Sequence, residues 1–406
     1  MNPKPLAVYL TNQPLNPNYS AAGWRSHQVM EAVEQLGYQV EVWSTAAEES
    51  RFLNSKRRCK NIVLNDALAD EQIKNTKAQI VVFDRFYTEE QFGWRFARFA
   101  PQCMRILDMQ DVHFLREERR QDLTGSPIDD SIRWRELAAM HRCDLSLVIS
   151  EVELHLLQNE FEFKASQLLY FPLLMAEESL PKSKFSERNG IAFVGNFKHK
   201  PNRDAIDYFM KAIFPKVLSQ IPDLKCYIYG AFAPNFKIKN TTTTAFVADI
   251  ATTIAQHRLC VAPLRFGAGL KGKVFTSAQS GTPCLCSPIA AEGIFTPTEI
   301  PELYCVSDTN FVEQLLHLYR DKAHWLKTQE KFSSWMKEKF NREQHEGYFQ
   351  QRIKERLSSL WEDRNKNHIG NMLLHHRVQS VYYLAKWIEE KKHRLQLPSD
   401  GDASDA

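Results

Sequence analysis

Lys271 and Lys273 lie in the run Gly267-Ala268-Gly269-Leu270-Lys271-Gly272-Lys273, with Arg265 two residues upstream and Gly281-Thr282-Pro283 eight residues downstream. Glycines let backbone N–H groups approach an anion, and three cations within nine positions supply the opposing charge. The runs on either side, Leu259 to Leu264 and Pro283 to Cys286, have the apolar composition of buried strands. The segment between them therefore reads as a loop and a crossover helix whose positive N-terminal end faces that loop, an arrangement suited to a diphosphate. A plain strand-to-helix connection with nearby lysines fits the same spacing, so this segment alone does not assign a ligand.

The elements that must hold such a loop can be read along the chain. Short β-rich runs at Leu6–Leu10, Tyr38–Trp43, Ile62–Leu64, Ile80–Phe83, Met104–Leu107 and Leu145–Ile149 alternate with helical patterns. A second series runs through Ile191–Val194, Leu224–Tyr229, Ala245–Val247, Leu259–Leu264, Pro283–Cys286 and Tyr304–Val306. Alternation of this kind predicts α/β architecture with parallel sheets covered by helices on both faces, here as two Rossmann-like halves. Residues 22–37 carry helical spacing and stop at Gly37, which places the first strand-to-helix turn at about residues 11–23. The expected organisation is an N-terminal domain over 1–172, a polar, proline-punctuated linker over 173–190 and a second domain over 191–343. Helices over 344–398 then return across the N-terminal domain, and 399–406 form a disordered tail.

Composition narrows the classes further. The 406 residues are 43% apolar and hold 52 basic against 49 acidic side chains, a formal charge of +3. Two cores are affordable at this length, and the balance argues against a dedicated nucleic-acid binder. The apolar run at Leu6–Leu10 is too short for a signal sequence, and no stretch is long enough to span a bilayer. Eight scattered cysteines, several inside apolar strands, fit a reducing cytoplasm. The thiols of Cys284 and Cys286 are expected on opposite faces of their strand, unsuited to shared metal ligation, and His368, His375 and His376 lack the companions a metal site needs. The expectation is no metal.

Ile191-Ala192-Phe193-Val194-Gly195-Asn196-Phe197 with Pro201-Asn202 and Asp204-Ala205, then Ala262 to Lys273, Gly281-Thr282-Pro283 and Ala291-Glu292-Gly293-Ile294 together resemble the donor-binding half of retaining GT-B glycosyltransferases, group 1 and family 4-like. Leu107 to Glu117 is similar to the aspartate-and-histidine segment that relatives place at the cleft. The resemblance implies transfer of a sugar from a nucleoside-diphosphate donor, UDP- or GDP-linked, to a glycan or lipid-linked acceptor with retention and without a bound metal or other cofactor. Polysaccharide or glycoconjugate synthesis in the cytoplasm, or at the inner face of the membrane, is the implied setting.

Carried onto this chain, the resemblance assigns His113 and Asp111 to the reacting face. It assigns Gly23, Gly195, Asn196, Arg265, Gly269, Lys271, Lys273, Thr276 and Glu292 to the donor. Thr276 is a departure: relatives commonly place a ribose-binding glutamate five residues before the glycine of Gly-Thr-Pro. That leaves two other classes open, a non-catalytic GT-B-like binding or scaffold protein and a GT-B sugar-nucleotide epimerase. For the acceptor side, Phe92 to Phe99 interleaves aromatics with arginines, and Arg51, Lys56, Arg57, Arg58 and Lys60 form a basic cluster. Either suits a peripheral membrane contact, and a buried helix with a charged outer face or a solvated loop explains them equally well.

Overall fold

The structure, a computed structural model, describes residues 3–13, 20–46, 57–127, 130–175 and 183–396. Seven strands form one parallel sheet in the order β3-β2-β1-β4-β5-β6-β7: β1 (Leu6–Thr11), β2 (Gln39–Ser44), β3 (Arg58–Asn61), β4 (Ala78–Asp84), β5 (Met104–Asp108), β6 (Leu145–Val148) and β7 (Leu168–Tyr170). A second parallel sheet runs β10-β9-β8-β11-β12, from β8 (Ile191–Val194), β9 (Cys226–Tyr229), β10 (Thr241–Thr244), β11 (Leu259–Ala262) and β12 (Cys284–Cys286). Chain order reverses between β1 and β4 in the first sheet and between β8 and β11 in the second, and ligands of such sheets bind beyond the carboxyl ends at these points.

Central strands are buried on both faces, as continuous apolar runs in parallel sheets require. Helix α1 (Ala21–Gln35) begins where the Ser20 side chain accepts the Gly23 N–H at 3.0 Å, and the chain leaves it at Gly37 with φ 94°. Further helices of the first half are α2 (Ala67–Lys74), α3 (Phe86–Phe99), α4 (His113–Thr124), α5 (Ser131–Arg142) and α6 (Glu151–Asn159). In the second half α7 (Lys200–Tyr208) follows β8 and α8 (Gly272–Gln279) joins β11 to β12. The chain then returns: α9 (Arg342–Ser358) places Phe349 and Ile353 in one core with Val29 and Val33 of α1, and α10 (His368–Gln396) lies against α3 and α5.

Several sequence expectations shift. The strand expected at 62–64 forms just upstream, as a charged edge strand in which Arg58 and Lys60 reach Glu41 of β2, while Ile62 turns into the core. The strand expected at 245–247 is replaced by the run of four threonines in β10, and Phe246 is exposed. Tyr304 makes only an isolated bridge to Cys286. Cys284 and Cys286 do not point apart: their Sγ atoms lie 3.8 Å from each other, because side chains two residues apart in a strand stand on the same face. Phe92, Trp94 and Phe96 are buried and Arg95 pairs with Asp70 at 2.8 Å, so α3 is a packed helix rather than a membrane-facing one. Arg57 is bidentate to Glu34, and the rest of that basic cluster, Arg51 and Lys56, lies outside the described residues, as do 176–182 of the expected linker and the tail 399–406.

Candidate functional site

The donor-type residues leave the two strands that flank the second sheet's switch point. Gly195 and Asn196 follow β8, and the glycine–lysine loop follows β11. Gly269 has φ 64°, and a Cβ there would stand 2.8 Å from the Asp111 Cβ and 3.3 Å from the Gln110 carbonyl of the facing half. Both the backbone angle and the close approach demand glycine. At Gly272 a Cβ would stand 2.5 Å from that of Ala21, so the start of α8 packs on the start of α1. Glycine spacing here brings two halves together as well as admitting an anion.

The three cations of the loop all have internal partners. Lys271 Nζ donates to the Gly269 carbonyl at 2.6 Å, and burial lowers its pKa. Lys273 Nζ donates to Asn202 Oδ1 at 2.7 Å and sits 4.5 Å from the Phe193 ring. Burial pulls its pKa to about 8, against the opposing pull of the Cys260, Cys284 and Cys286 thiols. Arg265 forms a two-toothed pair with Asp204 at the rim. The Gly195 N–H is taken by the Tyr229 carbonyl, and the Asn196 side chain accepts the Lys198 N–H.

Across the cleft, β5 ends at Asp108 and the chain turns through Gln110, at φ 65°, to Asp111 and the start of α4. Asp108 is structural: it is fully buried and accepts from Arg25 at 2.7 Å and Gln110 at 3.0 Å, and burial pushes its carboxyl up. Burial would also raise Asp111, but Arg116, His113 and His199 outweigh it and hold that carboxyl well below the usual range. His113 Nδ1 lies 3.0 Å from Glu136 Oε1 and 3.1 Å from the Asp111 carbonyl. Those acceptors assign the proton to Nδ1 and leave Nε2 as the ring's acceptor. Phe86 meets the ring edge-on with centroids 5.3 Å apart, fixing its plane.

Two contacts tie the halves at this point. Glu153, in the first turn of α6, accepts the Val112 N–H at 2.9 Å and the Gly269 N–H at 2.7 Å through one oxygen. Burial, with Asp111 adding to it, lifts its carboxyl to about 7, and Oε2 has no partner among the described residues. Arg119 grips both oxygens of Glu292 at 2.8 Å and also donates to the Gly267 carbonyl at 2.7 Å.

Residues 188–321 match the family of glycosyl transferases group 1. The chain carries a glycosyltransferase group 1 domain on a GT-B fold. Its structure is similar to the sucrose-phosphate synthase from Thermosynechococcus elongatus at TM-score 0.65 and 14% identity, covering 88% of this chain and 100% of that one. It is similar to Anabaena HepE in complex with UDP and glucose, at 0.65 and 11%, covering 87% and 99%. It also resembles WaaG, a glycosyltransferase involved in lipopolysaccharide biosynthesis, at 0.57 and 11%, covering 81% and 95%. No curated protein sequence matches it.

Within this GT-B chain, Asp111, His113, Gly269, Lys271 and Lys273 gather at one place, and Gly195 and Asn196 sit on the same side of the second sheet. Gly23 is buried at the α1 N-terminus with its N–H already capped. Thr276 donates to the Gly272 carbonyl one turn back, and Glu292 is held by Arg119 rather than standing open. Sequence reading missed Glu153, Arg119, Arg116, Glu136 and His199. An acid in the first turn of a helix reads as a dipole partner, and nothing local to Glu153 shows that the Gly269 N–H lies over it.

Proposed function

We propose that this protein transfers a sugar from a nucleoside-diphosphate sugar to an acceptor hydroxyl with retention at the anomeric carbon. One observation carries the reading: the lysine loop and the N-terminus of α8 abut the Asp111–His113 turn, with Gly269 packed on Asp111. Lys271, Lys273 and the positive N-terminal end of α8 take up the charge that develops on the departing diphosphate, and Arg265 joins them by leaving Asp204. In this reading the cations do the neutralising that a divalent metal would otherwise do. Nε2 of His113 accepts a hydrogen bond from a sugar hydroxyl and Asp111 keeps the turn in register. The bond from the anomeric carbon to the phosphate oxygen breaks, the acceptor oxygen bonds to that carbon, and the acceptor's proton passes to the departing phosphate oxygen.

UDP is the first donor to test, since HepE is similar in structure and its complex holds UDP and glucose. We propose a glycan or lipid-linked acceptor, in keeping with the likeness to WaaG, a glycosyltransferase involved in lipopolysaccharide biosynthesis. The test is thermal unfolding with UDP-, GDP-, ADP- and dTDP-sugars in EDTA. A ligand at a hundred times its Kd adds about 2.7 kcal/mol to the native state. A shift with one nucleotide supports the reading, and the product's anomeric configuration by NMR then tests retention. No shift with any of them removes the donor site and favours the binding-protein alternative that Thr276 raises.

A further inference from the structure

A groove of about 680 Å³ lies beneath α10, lined by Arg98, Arg105, Arg364, His375, Trp361 and Tyr383 and by no acidic side chain. Arg105 is the second residue of β5, so the groove sits at the amino end of the first sheet, the opposite end from Asp111. It is not part of the cleft. Arg105 is 6% exposed, and its Nε has no hydrogen-bond partner among the described residues. Arg98 has no carboxylate partner among the described residues and stacks 4.0 Å over Tyr382. Arg364 is anchored by Asp144 at 2.7 Å and by the Cys103 carbonyl at 2.6 Å. The Asp144 carboxylate alone faces two guanidinium groups here, since Arg105 reaches it as well at 3.6 Å. A buried, unpartnered guanidinium N–H in an acid-free groove asks for an anion with several acceptor oxygens.

The helix that roofs the groove presents an apolar stripe outward. Ile369, Met372, Tyr383, Leu384 and Trp387 are each at least half exposed, at 50, 58, 71, 55 and 60%. At 100° per residue they fall within about a third of the helix circumference. The inner face is occupied: Gly370 meets the His141 carbonyl, Arg377 donates to the Glu90 carbonyl at 3.0 Å, Tyr382 meets Trp94 edge-on, and Ala385 is buried. Tyr383 belongs to both features, lining the groove and lying on the stripe. Lys391, 5.2 Å from the Trp387 ring, ends the stripe with a charge. A second copy docking the same face about a twofold axis would set one basic groove against another.

We infer that α10 is a membrane-docking helix, with its stripe in the lipid interface and the phosphate of an anionic lipid headgroup in the Arg98–Arg105–Arg364 groove. Aromatic, aliphatic and basic side chains on one face are the composition that interfacial helices use, and an anionic headgroup supplies an acceptor for Arg105 Nε and a counter-charge for Arg98. The inference stands apart from sugar transfer, because docking is measured without donor or acceptor.

The test is co-sedimentation of the full chain with phosphatidylcholine vesicles and with vesicles carrying about 30% phosphatidylglycerol, beside calorimetry with inorganic phosphate. The expected result is association with the anionic vesicles at least about tenfold tighter than with the neutral ones, weakened by salt. Trp387→Ser, an exposed change, and Arg98→Gln should each lower it at least about tenfold with unfolding midpoints unchanged. Equal partition to both vesicle types, or full binding by both variants, overturns the inference. Binding of phosphate without vesicle association would make the groove a site for a free anion and overturn it too.

Discussion

Glu153→Gln isolates the contact that joins the two halves. The wild-type carboxyl is raised from an ordinary 4.5 to about 7, first by burial and then by Asp111. The native state therefore holds a proton that the unfolded chain releases between those values, so stability is full below 4.5, falls as pH rises through this window, and levels above about 7. At about 1.4 kcal/mol per pH unit the whole interval is worth about 3 kcal/mol, of which about 2–3 kcal/mol falls between pH 5 and pH 8. Glutamine keeps the shape and the oxygen that accepts from Val112 and Gly269, and it cannot ionise. The variant should match wild type near pH 5 and exceed it by about 2–3 kcal/mol at pH 8. Urea unfolding followed by tryptophan fluorescence at four pH values reads the difference directly, with other titrating groups cancelling between the two proteins. Parallel pH profiles would refute the claim that a buried, protonated Glu153 holds the Gly269 N–H.

Lys271→Ala should weaken donor binding by about 1.5–3 kcal/mol in calorimetry, the scale of a hydrogen bond to a charged group. His113→Ala should lower kcat while leaving donor affinity intact, and wild-type turnover would end its role. Thr276→Glu should tighten nucleotide binding by about 1–2 kcal/mol if the α8 surface faces the ribose, and unchanged affinity would place the ribose elsewhere. Lys273, with its pKa pulled to about 8, is charged below that pH and neutral above it. Donor affinity should fall by up to about tenfold per pH unit above 8 in wild type and stay level in Lys273→Arg, whose guanidinium does not titrate there. The same fall in both proteins would clear Lys273.

The alternation of apolar runs and the Gly-rich loop gave away the doubly wound halves because parallel strands buried on both faces leave continuous apolar segments. Edge strands were misplaced for a related reason: β3 and β10 are built from charged residues and threonines, which carry no burial signal. The lysine loop was legible because its glycines and cations lie within nine positions. Glu153, Arg119 and Glu136 were not, since each acts on a group contributed by a distant part of the chain: Glu153 on Gly269, Arg119 on Glu292, and Glu136 on His113. Local spacing can show that a helix has an acid in its first turn, but the partner is fixed only when two sheets meet.

That meeting also changes what the donor-side residues are. In the structure Lys271 rests on its own loop's carbonyl, Lys273 on a neutral amide, Arg265 on Asp204, and Glu292 on Arg119. A diphosphate does not enter a row of bare charges but exchanges for partners already present, and the exchange costs differ. The Arg265–Asp204 pair is substantially exposed, so breaking it costs about 0–1 kcal/mol, whereas Lys271 and Lys273 are cations held against desolvation by single oxygens. An arriving anion relieves that burial penalty, so most of the gain from charge pairing should come from the two lysines and little from Arg265. Glu292 gives a different asymmetry: freeing its carboxylate means breaking a two-toothed bond that crosses the cleft. A role for Glu292 in holding the donor is therefore tied to movement of α4 away from the Gly267 carbonyl, while the lysines can act without it.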